Sequence, residues 1–311
     1  MDKNTLGVFT LHGVDRDGTQ YACLDSSRTW DHNYHVFPDR YGPTQAEITS
    51  MKNNWQINAV RIPLNEDCWL NTPEMPQGGV GGQAYINGIV GFVNLLNHNS
   101  MVAILDLHYS APAGERATGQ EPMPDASYSA QFWASVASTF AGNDAVIFDA
   151  FNEPNPTNTD NYGSHTWNCW LKGESNPPDP NNSCSGGCPD AYLAAQGQSG
   201  NYDCVGMQAM ADAIRGAANP SPDNVIILGG ANFAKEFNLW NQYLPQDPHT
   251  GQAYTNLAVS AHLYSYWTYD QNGLTQQIAN GYPVIAGEIG GPGRHAGDQR
   301  CFHQSDDAVP R

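Results

Sequence analysis

A chain of 311 residues, 40 % hydrophobic and 11 % aromatic, can bury a substantial core, enough for one large α/β domain or two small ones. Its 13 basic and 31 acidic residues leave a net charge of −18, which repels nucleic acid and anionic membranes and suits a neutral polymer as partner. No apolar run reaches about 18 residues, so no membrane span is expected, and the opening Met-Asp-Lys-Asn-Thr-Leu-Gly carries no signal-peptide pattern.

In chain order, Val8 to Val14 reads as a first strand, followed by a polar and aromatic loop from Asp15 to Gly42. Thr44-Gln45-Ala46-Glu47 is a capping box that opens a helix, with Ile48, Met51 and Trp55 as its apolar stripe. Asn58 to Leu64 is a second strand. Residues 83–98 form a helix with Ile86, Ile89, Val90, Val93 and Leu96 inward, and Met101 to Leu107 is a third strand ending in His108-Tyr109. A helix carries Phe132, Val136 and Phe140 four apart. The run Val146-Ile147-Phe148-Asp149-Ala150-Phe151 is apolar enough to be a strand buried on both faces, and it stops at Asn152-Glu153-Pro154. Residues 155–189 are Asn-, Pro-, Gly-, Ser- and Cys-rich without a period, which predicts a disulfide-stapled surface loop with nothing to fill a core. A helix is expected around 190–217, strands over Asn224 to Leu228 and Leu257 to Leu263, a short helix near 273–280, and a seventh strand over Pro283 to Ile289. Strand and helix alternate without repeat or linker, which predicts one parallel-stranded domain over residues 1–291 with a Cys-rich surface loop at about 155–205. In a (β/α)₈ barrel the chemistry sits in the loops after the strands. The rival, a doubly wound open sheet, would place a Gly-rich phosphate turn after the first strand, and Leu11 to Gly18 contains none.

The seven cysteines, at 23, 68, 169, 184, 188, 204 and 301, lack a zinc spacing. Disulfides in an oxidising compartment are the expectation: Cys23 with Cys68, and Cys169, Cys184, Cys188 and Cys204 among themselves, with Cys301 left over. Asp15-Arg16-Asp17-Gly18 has the start of a calcium loop but not the rest of the ligand series, so neither metal nor cofactor is expected. Asn181-Asn182-Ser183 is a formal glycosylation sequon. Trp30, Trp69, Trp167, Trp170, Trp240 and Trp267 fall in loops or helix ends, and one or two of them, Trp267 first, are expected as platforms for sugar rings.

Two apolar strands end in a glutamate: Glu153 after the fourth, and Glu288 in Val284-Ile285-Ala286-Gly287-Glu288. A carboxyl at the tip of a buried strand is poorly hydrated, and its pKa should rise toward the range of a general acid. The pair is expected to meet across a glycosidic bond, although 288 − 153 = 135 residues separate the two.

Five strand-end motifs, Ala59-Val60-Arg61-Ile62-Pro63, Asp106-Leu107-His108-Tyr109, Phe151-Asn152-Glu153-Pro154, Ala261-His262-Leu263-Tyr264 and Gly287-Glu288, make the chain resemble the family-5 glycoside hydrolases, the large cellulase family of (β/α)₈ barrels. The likeness covers roughly residues 8–291 and is nearest to bacterial secreted endoglucanases, through Gly13-Val14-Asp15 and Tyr21-Ala22-Cys23. It implies a secreted monomer acting on a polysaccharide by retaining double displacement. Glu288 is then the nucleophile and Glu153 the acid/base. Arg61 and Tyr264 attend Glu288, and His262 tunes Glu153. Asn152 binds the sugar 2-hydroxyl and His108 another hydroxyl. The implied reaction is endo-hydrolysis of β-1,4-glucan, with β-mannan or another β-glycan close behind, and a non-hydrolytic carbohydrate-binding barrel as the alternative outside the enzymes. An esterase or amidase would want a Gly-x-Ser-x-Gly elbow, which is missing. The family also expects an eighth strand and a closing helix, whereas the 311 − 291 = 20 residues after Gly291 read as an irregular tail without a strand-like run. An incomplete barrel, less stable than a full one, is therefore expected.

Overall fold

The computed structural model describes residues 9–24, 35–37, 42–175, 184 and 186–291. Seven strands form one sheet: β1 (Gly13–Asp15), β2 (Ala59–Asn65), β3 (Val102–Tyr109), β4 (Val146–Asp149), β5 (Ile226–Gly229), β6 (Leu257–Tyr264) and β7 (Val284–Gly290). They hydrogen-bond in chain order and every neighbouring pair is parallel, which short hairpins cannot do and crossover helices can. The architecture is the expected (β/α)₈ barrel with seven strands among the described residues, β1 and β7 being its edges. The tail 292–311, Cys301, the sequon at Asn181 and Trp30 lie outside those residues.

The continuous apolar runs conceal a period of two. One face of the strands, with Val60, Ile62 and Leu64 of β2, Leu105 and Leu107 of β3 and Phe148 of β4, packs under the helices in the main core. The opposite face starts with a separate apolar layer of Ile104, Ile147, Ile227 and Ala258, one residue from each of β3 to β6. Two residues further along the same face the side chains turn polar: Asp106, Asp149 and Ser260, all buried. Alternation therefore stacks an apolar plug beneath a charged layer inside the barrel.

Two β-bulges adjust the rim. His262 pairs with Glu288 although Ala261 pairs with Ala286, so Gly287 is the extra residue of β7. Its missing side chain is required, because a Cβ there would lie 2.3 Å from Ser260 Oγ and 3.1 Å from His262 Nε2. His108 occupies the matching irregularity between β3 and β2.

The capping box at Thr44 is present: Glu47 N donates to Thr44 Oγ1 at 3.3 Å and Thr44 N donates to Glu47 Oε2 at 2.6 Å. The helix Gln45–Trp55 buries Ile48, whereas Trp55 is 47 % exposed, since the left-handed Gln56 turns the chain there. Helix Gln83–His98 buries Ile89, Val93 and Leu96 as expected, adds Tyr85 and Phe92, and leaves Ile86 and Val90 half-buried.

The Cys-rich stretch differs from expectation. Within it a helix, Ser164–Lys172, fully buries Trp167 and Trp170, and the indole of Trp170 donates to the Gly229 carbonyl at 3.0 Å. Trp69 and Trp240 are also fully buried and donate to Ser135 Oγ and the Leu228 carbonyl, so these four tryptophans are core rather than sugar platforms. The single helix expected around 190–217 is two, Ala191–Ala195 and Met207–Arg215. Gly197 at φ 72° and short strands at Asn201–Tyr202 and Cys204–Val205 interrupt it.

Three disulfides join Cys23 to Cys68, Cys169 to Cys184 and Cys188 to Cys204, consistent with the grouping read from the sequence. Their separations are 45, 15 and 16 residues. In the loop-entropy account each stabilises by about 3–4 kcal/mol. Melting followed by circular dichroism with and without reductant should show a Tm drop of at least ~10 °C; an unchanged Tm would mean the bridges contribute nothing. No helix among the described residues is long and apolar enough to cross a membrane.

Candidate active site

At the carboxyl ends of the strands, side chains that are distant in sequence converge around Arg61 of β2, which is 4 % exposed. Its guanidinium is read by residues from most of the barrel. Nε donates to Asp149 Oδ2 of β4 at 3.0 Å, Nη1 to Glu288 Oε1 of β7 at 2.9 Å, and Nη2 to Asn152 Oδ1 at 2.9 Å. Asp106 Oδ2 of β3 is 3.2 Å away and Asp15 Oδ1 of β1 is 3.6 Å away. A planar fork can serve such a ring of acceptors; an ammonium cannot.

One guanidinium faces three buried carboxyls and the half-buried Asp15, and the charges do not cancel. Burial raises the Arg61 charge's cost, but the four acids outweigh it and hold its pKa well above the ordinary value. Burial pushes Asp15 up to about 6, with Arg61 opposing, and Asp149 up to about 7, again against Arg61. Glu288 goes the other way. Burial would raise it, but the cations around it, His262 first and then Arg61 and His108, bring it down to about 2. It is thus held as an anion.

Glu153 follows β4 and is 8 % exposed. Its Oε1 lies 2.8 Å from His262 Nδ1 and its Oε2 accepts from Gln120 Nε2 at 2.9 Å. His262, fully buried on β6, also lies 3.5 Å from Glu288 Oε2. Burial works against its charge, and Glu288 and Glu153 together raise its pKa above the ordinary imidazole value. A single histidine therefore bridges the two glutamates. Donor atoms of Glu153, His262 and Glu288 all fall within 4.8 Å of one another. A metal ion can use such a spacing, but a cation placed there would meet Arg61 and compete for the oxygens it already holds.

The remaining expected residues cluster at the same place. Tyr264 donates to Glu288 Oε2 at 2.5 Å. Its ring is 4.6 Å from that of Trp267, which sits at the rim. His108 Nδ1 is 2.6 Å from Asp106 Oδ2, and that carboxylate raises the imidazole pKa in spite of burial. All eight singled-out residues thus belong to one connected cluster at the strands' carboxyl ends. Asp15, Asp106, Asp149 and Gln120 were missed as members of the cluster. Asp15 turns inward to Arg61 rather than belonging to a calcium loop. Asp106 and Asp149 carried a legible signal, since an acid inside a buried apolar strand needs a partner.

Comparison with known proteins fits this arrangement. The profile of the cellulase family, glycosyl hydrolase family 5, matches residues 14–308. Among solved structures, the chain is similar to an endoglucanase Cel5A of Pseudomonas stutzeri, with 19 % identity, TM-score 0.53, and coverage of 92 % of this chain and 77 % of that one. It is also similar to a hyperthermophilic endocellulase of the archaeon Pyrococcus horikoshii, with 18 % identity, TM-score 0.55, and coverage of 93 % and 78 %. With a profile match over nearly its whole length, and the parallel barrel that the two neighbours share, the chain belongs to the cellulase family, glycosyl hydrolase family 5.

Proposed function

We propose that this glycosidase is a retaining, endo-acting β-1,4-glucanase, with Glu288 as nucleophile and Glu153 as general acid and base. The observation that carries the reading is the spacing of the two glutamates. One oxygen of each lies within 4.8 Å of the other, closer than the roughly 6.5–9.5 Å between carboxyls across which an inverting enzyme holds its water, and in keeping with the ~5–5.5 Å of retaining enzymes. Their surroundings divide the labour. Glu288, held ionised by Arg61 and His262, is ready to attack an anomeric carbon. Glu153, away from Arg61, hands a proton to the departing oxygen and later takes one from water. His262, in reach of both, senses the charge moving from one to the other. Asn152, fixed by Arg61 through its carbonyl oxygen, keeps its amide group for the sugar 2-hydroxyl, and His108 serves another hydroxyl.

The preference for β-1,4-glucan draws on the two solved neighbours, described as an endoglucanase and an endocellulase. Three disulfides suit an extracellular enzyme. The charge of −18 favours a neutral polysaccharide over nucleic acid or membrane as partner, with the chain acting as a monomer.

Proton NMR of the first products from a soluble cello-oligosaccharide is expected to show the β-anomer before mutarotation; the α-anomer would refute double displacement. A panel of carboxymethylcellulose, mixed-linkage glucan and mannan, read by reducing-sugar release, tests the substrate. Faster release from mannan than from either glucan would overturn the glucanase assignment.

A further inference from the structure

The loop from Ser110 to Tyr128, between β3 and the helix Ser129–Thr139, reaches the proposed catalytic pair through the side chain of Gln120. The amide nitrogen lies 2.9 Å from Glu153 Oε2 and 3.5 Å from the Glu153 carbonyl oxygen. Two acceptors of one residue face that end of the amide, so the NH2 group and not the oxygen points there. Glu153 Oε1 meanwhile faces His262 Nδ1 at 2.8 Å. The carboxyl is gripped at both oxygens: by a histidine two strands to one side of β4, and by an amide from the loop of β3, its neighbour on the other.

A loop side chain can aim this closely only if its backbone is anchored, and here it is. Ala111 N donates to Glu66 Oε1 at 2.6 Å, Gly114 N to Glu74 Oε1 at 2.7 Å and Ala117 N to Asp67 Oδ2 at 2.8 Å. The Ala117 carbonyl accepts from Asn65 Nδ2 at 2.7 Å. Asn65, Glu66 and Asp67, all fully buried, end β2 and begin the short helix after it. Beyond Gln120, the Pro122 carbonyl accepts from Asn155 N at 2.7 Å, two residues past Glu153, and Glu121 Oε2 accepts from Ala191 N at 2.9 Å. Buried carboxyls are costly unless they are hydrogen-bonded, and two of them are dedicated to amides of this loop, which fixes its course.

The charge of Glu153 is felt by His262, Lys235 and Tyr264, and Glu288 lies beyond His262. Those groups all titrate. Gln120 does not, so its donor is present at every pH.

We propose that Gln120 is a positioning residue that makes Glu153 a readier proton donor, which rests on the reading of Glu153 as general acid and base. In the first half-reaction the bond from the anomeric carbon to the leaving oxygen breaks and its electron pair stays with that oxygen. The proton of Glu153 moves there while Glu288 bonds to the carbon. A carboxylate charge appears on Glu153, and the Gln120 N–H is already aimed at it. In the second half-reaction Glu153 takes a proton from water, and the same hydrogen bond opposes that step. Gln120 therefore favours the departure of a sugar and disfavours the attack of water.

The test follows both half-reactions in the wild type, Gln120→Met and Gln120→Glu. In Gln120→Met, kcat/KM for cellotetraose should fall roughly 3- to 10-fold, the size of one hydrogen bond at a half-buried position. With 2,4-dinitrophenyl β-cellobioside, whose leaving group needs no proton, the burst should change by less than about twofold. The steady rate after the burst, which reports the water step, should not fall. The alkaline limb of kcat/KM for cellotetraose should move up by about 0.5–1 pH unit in Gln120→Met, because the anion has lost a donor. It should move further in Gln120→Glu, which puts a like charge beside that anion. A merely structural role would slow both half-reactions together and leave the limb in place. Equal losses on both substrates, no loss on cellotetraose, or a limb that stays or moves down would overturn the role of Gln120 and leave the glucanase reading intact. A wild-type chain that turns over neither substrate would sink that reading, and the role of Gln120 with it.

Discussion

Arg61→Met is expected to be the most destabilising single substitution in the barrel interior. Methionine fills the stem's space but leaves Asp106, Asp149 and Glu288 buried, and Asp15 half-buried, without their cation. Removing one partner of a buried ionic cluster costs about 3–5 kcal/mol, a Tm loss of roughly 10 °C for a protein of this size. The loss depends on pH, and its sign follows from the two acids whose pKa values are already raised. Asp15 titrates near 6 and Asp149 near 7, both above the usual carboxyl range. Such groups contribute stability that is complete below about pH 4 and is lost as the pH rises through 6–7. Without Arg61 both rise further, so the gap between variant and wild type should widen from pH 5 to pH 8. Differential scanning calorimetry at the two pH values reads this directly. A gap that narrows with rising pH, or a variant as stable as wild type at pH 8, would show that the ring of acids is not held together by charge. Arg61→Lys should recover little, since an ammonium cannot reach five acceptors from the ends of four strands at once.

The second large effect separates the two glutamates by leaving group. Glu153→Gln keeps the shape and removes the proton. Hydrolysis of polymer or cello-oligosaccharide, whose leaving alkoxide needs that proton, should fall about 10²- to 10⁴-fold. The formation of the glycosyl-enzyme from 2,4-dinitrophenyl β-cellobioside needs no proton donor, so its burst should fall less than about tenfold. Glu288→Gln should abolish turnover of both, by 10⁴-fold or more, because no covalent intermediate can form. Stopped-flow release of dinitrophenol measures the burst, and reducing-sugar assays measure the polymer. Equal losses from Glu153→Gln on the two substrates would refute its role as acid. A burst surviving in Glu288→Gln would refute the nucleophile.

The two predictions share one feature, the central position of Arg61. It holds Glu288 by Nη1 and Asn152 by Nη2, so a group deep in the barrel aligns both the carboxylate proposed as nucleophile and the amide assigned to the sugar. The charged layer around it lies directly above the plug of Ile104, Ile147, Ile227 and Ala258, which excludes water from below. Low local dielectric makes each contact in that layer stronger and each unpaired charge costlier.

Local physics settled what the amino-acid sequence determined by itself. Apolar runs and turn residues located six of the seven strands to within two residues but began the first at Val8, where the strand begins at Gly13; the Thr44 box opened its helix where expected, and the resemblance carried by the strand-end motifs marked Glu153, Glu288, Arg61, His108, Asn152, His262 and Tyr264 as a set. Only the tertiary structure decided which charges share a site. A run such as Val146 to Asp149 looks uniformly buried, and its two faces differ only in what neighbouring strands bring, helices outside and Arg61 inside. The same holds for the tryptophans. Trp167 and Trp170 lie in a segment with no apolar period, and they are core because the helix there, stapled by Cys169 to Cys184, turns both indoles inward. Hydrophobic period reports the environment of a face, whereas electrostatic partnership depends on distances in space, and those are set by barrel closure between residues more than a hundred positions apart.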